Sequence, residues 1–547
     1  MRLTSLTLAN FRSFKEPQTI EFAPVTLLFG PNSVGKSSVL MALAYIQQIL
    51  RKGHCDPQHL DALGGKKIGG FRSLVYGQDL ESTISIKIGF EGASSIFEEY
   101  GTYVDEFANE LQSVVYVIMN DFAGSIENGA VEFELAWSQK HSRAYVKNYR
   151  LWINDVFVGR ISSSEDLKNT RITELNTQHP SLIPYENEEW LEREYGDPDD
   201  REAIDRLDFH TEFESVLSEL NPNPSSTAEE ADVSGAGVDF VNRVAPISLS
   251  CFAGAVPYLG RPIATNLTDQ DIDGSSEHFN FMVVQQVLSQ AFVLPLDKVL
   301  EHLESSIFIG PLRVVPDIDY LANPHPEQRD WVDGSAAWDM LHRDPAKDSD
   351  VKNLIENTSH WFADESKLSS GYEVVNQSLG DQLGSINLNA GIGKGLLEKR
   401  HVFFKEKASD IYLSANQLGT GISQILPIVV AANHESVGLI SIEQPELHIH
   451  PRLQVELADL FVESRSNHSF LIETHSEHLM LRLLRRVREG AEADGVSGVL
   501  SPSEISVICL SPSSHGTQVE RVAVTKDGDF EHDWPQGFFD ERDEELF

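Results

Sequence analysis

Apolar positions change period along the first 90 residues, and the changes lay out strand, loop and helix. Leu3 to Leu8 reads as a strand, the polar stretch Arg12 to Gln18 follows, and Val25 to Phe29 is a short apolar run ending in glycine, as a buried strand would be. Val39, Leu40, Leu43, Ile46 and Ile49 then recur at helical spacing. Gly64, Gly65, Gly69 and Gly70 punctuate a flexible connection that carries Lys66 and Lys67. Strict alternation returns at Ile84, Ile86 and Ile88 and again at Val131, Phe133, Leu135 and Trp137, while Arg150 to Val158 predicts a hairpin turning at Asn154 and Asp155. These segments make residues 1–175 a β-rich amino-terminal lobe.

The pattern dissolves next. Glu186 to Leu220 is acidic and helix-forming, and Asn221 to Val238 is rich in Pro, Ser, Ala and Gly with little to bury. Residues 176–304 therefore read as an acidic, mainly helical insertion on a flexible tether, ending in one or two amphipathic helices over Phe279 to Leu303. Sustained heptads, the mark of a long coiled coil, are missing. Beyond 305, short apolar strands alternate with helices: Ile307 to Ile309, a helix beginning near Ser335, the apolar helix Ile425 to Ala432, then strands at Leu439 to Ile442 and Phe470 to Ile472. Residues 305–547 form a carboxyl-terminal α/β lobe.

At 547 residues with 41% apolar composition, the chain exceeds the size at which one core usually stops growing, so two or three units are expected. Apolar runs stay well short of the ~20 residues of a membrane span, and Met1 leads straight into strand-like sequence. A cytoplasmic protein with no membrane partner is expected. Cys55, Cys251 and Cys509 are far apart and form no CxxC pair, the pattern of reduced structural thiols. The net charge of −41 argues against a broad nucleic-acid surface. Much of that charge is local, since residues 91 to 240 carry 32 acidic against 10 basic side chains.

One stretch carries the chemistry. Gly30-Pro31-Asn32-Ser33-Val34-Gly35-Lys36-Ser37 fits GxxxxGK[ST] at every required position and lies between the buried strand and the helix. Gly30 and Gly35 let the backbone curl until its N–H groups face phosphate oxygens, and the helix start adds partial positive charge. Lys36 would neutralise the β and γ phosphates of ATP, and Ser37 would offer its hydroxyl to Mg²⁺. Asn32, Ser33 and Ser38 complete the expected nucleotide contacts. Gln78 either senses Mg²⁺ and the attacking water or is a polar loop residue.

Later strands would complete the site. Glu443 ends one strand and is expected to hold Mg²⁺ through water; Gln444 would face the attacking water, which it can orient but not deprotonate. Hydrolysis should then be slow unless Glu446 or another base substitutes. His475, delivered by the strand Phe-Leu-Ile-Glu-Thr-His, would contact the γ phosphate or the water; alone, it reads as a structural histidine. Asn416 to Gln424 lead into the apolar helix, where Gly421 and Ser423 would bind an anion, most naturally the γ phosphate of a partner subunit. Arg313 either points into the nucleotide site or makes an ion pair. Arg482, Arg485, Arg486 and Arg488 share one helix and either grip nucleic acid or an acidic partner, or form a solvated, dimer-facing or intramolecular surface. His448 and His450 lack a third ligand at metal-site spacing.

Together these motifs resemble the ABC-type ATPase heads of the SMC, RecF and OLD-like families. More narrowly, Ile309-Gly310-Pro311-Leu312-Arg313, Leu418 to Leu426, IEQPELHIHP at Ile442 to Pro451 and ETHSEHL at Glu473 to Leu479 look like the bacterial OLD-like ATPases of anti-phage defence, and the tail Trp534 to Glu541 is similar to the ending of one branch. Within these, the chain resembles Septu-type ATPase subunits, some encoded beside retron reverse transcriptases. The resemblance covers roughly residues 1–90 and 305–547. It implies an α/β fold: an ABC-type P-loop ATPase head with a mixed central sheet, an antiparallel β subdomain and the acidic helical insertion. It also implies ATP and Mg²⁺ as cofactors, a homodimer or higher even oligomer, and an HNH-type nuclease effector as partner, with a retron reverse transcriptase and its msDNA as further partners. Gln444 departs from the glutamate usual in the wider family, which implies slow turnover. The 72 residues after His475 leave no room for the Toprim nuclease of OLD proteins, so no nuclease site is expected in this chain. A nucleotide-dependent switch controlling a separate effector is the first reading. A RecF- or SMC-like DNA-repair ATPase that clamps DNA in an ATP-bound dimer is the alternative, and a nuclease site hidden in residues 91–300 a third.

Overall fold

The computed structural model describes residues 1–92, 126–176, 179–180, 247–263, 285, 288–317, 319–378, 400–435, 438–492 and 498–532. The expected acidic helices over Glu186 to Leu220, the tether at Asn221 to Val238, the beginning of the Phe279 to Leu303 stretch and the tail Trp534 to Glu541 lie outside these residues.

Two compact units interleave along the chain. One comprises Met1–Thr19, Tyr45–Gln58 and Ile68–Glu301, the other Ile20–Ala44, His59–Lys67 and His302–Phe547. The grouping differs from a sequential division at 175 and 304, because the phosphate loop belongs with residues after 301. Strand pairing explains this: Val25–Phe29 takes its place between strands drawn from the last hundred residues.

In the first unit the alternating segments form antiparallel strands in the spatial order Ile247–Ser248, Thr170–Leu175, Val156–Ser163, Arg143–Ile153, Asn128–Ser138, Ile84–Glu91 and Arg2–Ala9. One face is buried, and Phe133 stacks on Tyr149 at 5.7 Å. The predicted hairpin turns at Asn154 and Asp155, both left-handed at φ 49° and 63°, as the tight turn matching sheet twist requires. None of the three cysteines is disulfide-bonded. Burial pushes the Cys55 and Cys251 thiols up to about 12.

The second unit holds a six-stranded mixed sheet in the order Ile307–Ile309, Leu439–Glu443, Ser469–Glu473, Val25–Phe29, Ile505–Ser513 and Gly516–Val522. The first five are parallel and the last is antiparallel. All five residues of Val25–Phe29 are buried, which is why that strand is apolar except for Thr26, whose hydroxyl bonds the Ala23 backbone. Parallel strands end at one edge, so Glu443, Glu473 and the loop after Phe29 emerge together, where open α/β sheets form their ligand crevice. The helix Thr420–Ala432 is buried on every side from Ser423 to Ala432 and belongs to the core. Trp338 is fully buried there, its indole N–H bonded to the Val314 carbonyl at 3.1 Å; truncating so large a buried ring costs about 3–5 kcal/mol. The expected flexible connection at Gly64 instead contains a small ribbon in which His59–Leu60 pairs with Lys66–Lys67. No helix among the described residues is long and apolar enough to cross a membrane.

Candidate nucleotide site

The phosphate loop is shaped by its glycines. Gly30 has φ +141° and Gly35 φ +122°, values that disfavour any side chain, and a Cβ on Gly30 would fall 2.3 Å from the Leu510 carbonyl oxygen. Lys36 opens the helix Lys36–Lys52. Its Nζ donates to the carbonyls of Gly30 at 2.7 Å and Pro31 at 3.1 Å, and it is only 4% exposed. Burial lowers its pKa, while the charge of Glu473, 3.7 Å away, opposes that effect. A glycine cradle, a buried lysine at its base and a serine hydroxyl beside carboxylates form a donor set that suits a magnesium nucleotide. Asn32, Ser33 and Ser38 fall in the same loop or the first helical turn, with Ser33 left-handed at φ 65° and the Ser38 N–H bonded to the Gly35 carbonyl at 2.9 Å.

Two carboxylates stand at the sheet edge above this loop. Glu443 and Glu473 are register partners on neighbouring parallel strands. Burial raises the pKa of both; Lys66 and Lys36 counter it at Glu443, and at Glu473 Lys36 counters it while Glu443 reinforces it. Ser37 Oγ donates to Glu473 Oε2 at 3.4 Å. Glu473 was not singled out from the sequence, nor was Lys66. A glutamate ending an apolar strand is the sequence signal that Glu473 shares with Glu443.

Gln444 sits in a left-handed conformation at φ 46°, its N–H donating to the Glu473 carbonyl at 2.7 Å. Arg313 holds this bend from beneath. Its Nη2 donates to the carbonyls of Glu443 at 3.0 Å and Gln444 at 3.3 Å, and Gln424 bonds its backbone N–H at 3.3 Å and its carbonyl at 2.7 Å. Of the readings open for Arg313, pointing into the nucleotide site or a surface or structural ion pair, a surface position is excluded: the residue is 5% exposed, and burial brings its pKa down to about 10. Glu446 uses both oxygens, accepting from Thr474 Oγ1 at 2.8 Å and from the His475 N–H at 2.7 Å. Burial, with the nearby Lys36 charge, lowers the His475 pKa, against the opposing charge of Glu446.

The helix start at Thr420 differs from expectation in one respect. Ser423 does not offer its hydroxyl outward: the residue is 0% exposed and Oγ donates to the Ala415 carbonyl at 2.8 Å, because Ser423 lies one turn inside the helix and faces the preceding turn. Gly419 and Thr420 are the exposed positions. Gly421 approaches the backbone closely; a Cβ there would lie 2.8 Å from the His448 carbonyl oxygen. His450 caps the helix Pro451–Ser464, Nδ1 accepting from the Arg452 N–H, and no group of three or more His, Cys, Asp or Glu side chains that could hold a metal occurs among the described residues. Arg482 and Arg486 both bond Asp459, Arg485 and Arg486 bond Glu489, and Arg488 reaches Asp529, so this cluster is engaged within the chain. Gln78 belongs to the first unit, left-handed at φ 59°.

A family model for the AAA ATPase domain matches residues 1–193 and 342–480, well over half of the sequence. The chain belongs to the AAA ATPase domain family. Its match takes in the phosphate loop, Glu443 to Glu446 and the Glu473 to His475 loop. This AAA ATPase is also 51% identical over 47 residues to the chromosome partition protein Smc of Mycolicibacterium paratuberculosis and to that of Mycobacterium leprae, a stretch spanning 8% of the chain and 4% of either relative. Among solved structures it is similar to the SMC head domain from Thermotoga maritima, with TM-score 0.36 and 10% identity over 96% of this chain and 100% of that one. An SmcHead bound to the C-winged helix domain of ScpA gives TM-score 0.37 and 10% identity over 96% and 98%.

Proposed function

We propose that this AAA ATPase binds MgATP on the Gly30–Ser38 loop and hydrolyses it slowly, using the bound nucleotide as a switch. Lys36 grips the β and γ phosphates, Ser37 and Glu443 serve the Mg²⁺, Gln444 orients the water and His475 senses the γ phosphate. The magnesium supplies charge neutralisation on the transferring phosphoryl group. The observation that carries slow turnover is the state of the water-facing loop: its side chain at that position is a glutamine, and the adjacent carboxylate, Glu446, is committed to Thr474 and His475. Two copies pair with the Gly419–Gly421 helix start of each facing the other's nucleotide, and the pair controls a separate HNH-type nuclease in an anti-phage complex, together with a retron reverse transcriptase and its msDNA. The motif resemblance supports the defence role.

A RecF- or SMC-like DNA clamp is the second reading, favoured by the short identity to chromosome partition proteins. The net charge of −41 and the internally bonded arginines weigh against it. Purifying the tagged chain with its chromosomal neighbours, with and without ATP, separates the two. A nuclease that co-purifies and whose release or activity depends on ATP supports the switch. ATP-dependent, salt-sensitive DNA binding with no nuclease partner contradicts it.

A further inference from the structure

The sheet places two carboxylates where the nucleotide reading requires one. Glu443 and Glu473 are adjacent across a parallel ladder, and residues opposite one another in such a ladder project to the same side about 4.8 Å apart. Both are largely withdrawn from water, so each disfavours the other's charge unless a cation lies close. Lys36 supplies that charge to Glu473 at 3.7 Å, and Ser37 Oγ adds a hydrogen bond at 3.4 Å. These are the two side chains that the loop would commit to nucleotide: the lysine to phosphate and the hydroxyl to metal. When phosphate takes Lys36, Glu473 must find another counter-charge beside Glu443.

Resting on the nucleotide reading above, we propose that Glu473 is a second carboxylate of the divalent-cation site, completing with Glu443 and Ser37 an oxygen donor set for Mg²⁺ and making the metal a condition of ATP binding as well as of hydrolysis. Hard oxygen donors of this kind, with phosphate oxygens and water filling the remaining positions, match the preference of Mg²⁺. The same two carboxylates repel metal-free ATP, which arrives with more negative charge and no cation to set against them. Glu473 is therefore a selectivity device. It exchanges Lys36 for Mg²⁺ as its partner, and it lets the site discriminate between the metal complex and the bare nucleotide.

The test measures the dissociation constant of a fluorescent ATP analogue for the full chain, once with MgCl₂ and once with EDTA. Wild type is expected to bind the magnesium complex at least about tenfold more tightly than the metal-free form, about 1.4 kcal/mol of discrimination. Glu473→Gln keeps the shape and removes the charge, so it should bind metal-free analogue more tightly than wild type and the magnesium complex less tightly, bringing the ratio close to one. Glu473→Asp keeps the charge and should keep a preference for the metal complex. Circular dichroism of each variant confirms that it is folded. An unchanged ratio in Glu473→Gln overturns the proposal, as does identical behaviour of the Gln and Asp variants. A wild-type chain that binds neither form overturns the nucleotide reading itself, a separate result from a wild type that binds ATP with no metal preference, which overturns only the role of Glu473.

Discussion

Glu446 accepts the backbone N–H of His475 at 2.7 Å, joining the loop after one central strand to the loop after its neighbour. The same carboxylate takes the Thr474 hydroxyl at 2.8 Å. It therefore fixes the His475 backbone, and the loops after Glu443 and Glu473 are held as one piece.

Glu446→Ala should remove both bonds and leave two donors without their acceptor, a cost of about 1.5–3 kcal/mol for hydrogen bonds to a charged group. Because His475 then loses the acceptor that positions it, the expected outcome is a fall in ATP turnover of up to about 10²-fold, with a smaller change in MgATP affinity. Turnover and dissociation constant measured on the same preparation check it. Glu446→Gln, which keeps one acceptor oxygen, should lie between.

Gln444→Glu supplies a proton acceptor at the position proposed to face the attacking water. Positioned general bases contribute about 10²–10⁴-fold, so single-turnover hydrolysis should rise, with nucleotide affinity little changed. Equal single-turnover rates for the variant and wild type would remove Gln444 from the water.

Arg313→Lys tests whether the bend at Gln444 is held from beneath. Lysine cannot reproduce a guanidinium whose Nη2 reaches the Glu443 and Gln444 carbonyls while Nη1 reaches the Gln424 carbonyl, and the change leaves buried carbonyls short of a donor, at a cost of about 1–3 kcal/mol. Urea unfolding should show that loss of stability, and turnover should fall with it. A variant as stable and active as wild type would mean that the bend holds itself.

The buried thiols offer a readout of the first unit. Cys55 ionises at about 12 in the fold against an ordinary 9.0, so its contribution to stability is complete below pH 9 and is lost as pH rises toward 12, where only the unfolded chain ionises readily. Alkylation at pH 8 should therefore be slow for Cys55 in the native protein and fast in urea, as mass spectrometry of the modified peptides would show.

What the sequence disclosed, it disclosed where chemistry restricts residue choice at contiguous positions. The loop from Gly30 to Ser37 needs two glycines, a lysine and a hydroxyl in fixed order, and the largely apolar Val25–Phe29 strand must lie between covered faces. Glu443 and His475 were visible because each follows an apolar strand. The role of Glu473 was not, since it depends on a register between strands 30 residues apart, and alternation within one strand carries no record of its neighbour. Arg313 and Gln424 meet across 111 positions, a pairing that no local pattern encodes. Ser423 misled for a related reason: a serine near a helix start is a capping signal, but one turn inside the helix its hydroxyl turns inward to the Ala415 carbonyl. The interleaving of the two units followed the sheet rather than the order of the chain.

The most direct test of the account is the mass of the full chain in solution, followed by sedimentation velocity with and without saturating MgATP while bound nucleotide is counted in the same sample. The expected result is one nucleotide per chain and a doubling of mass on ATP addition, both lost in Lys36→Ala. Nucleotide bound to a chain that stays single would contradict the paired switch, and wild-type protein that takes up no nucleotide would contradict the site.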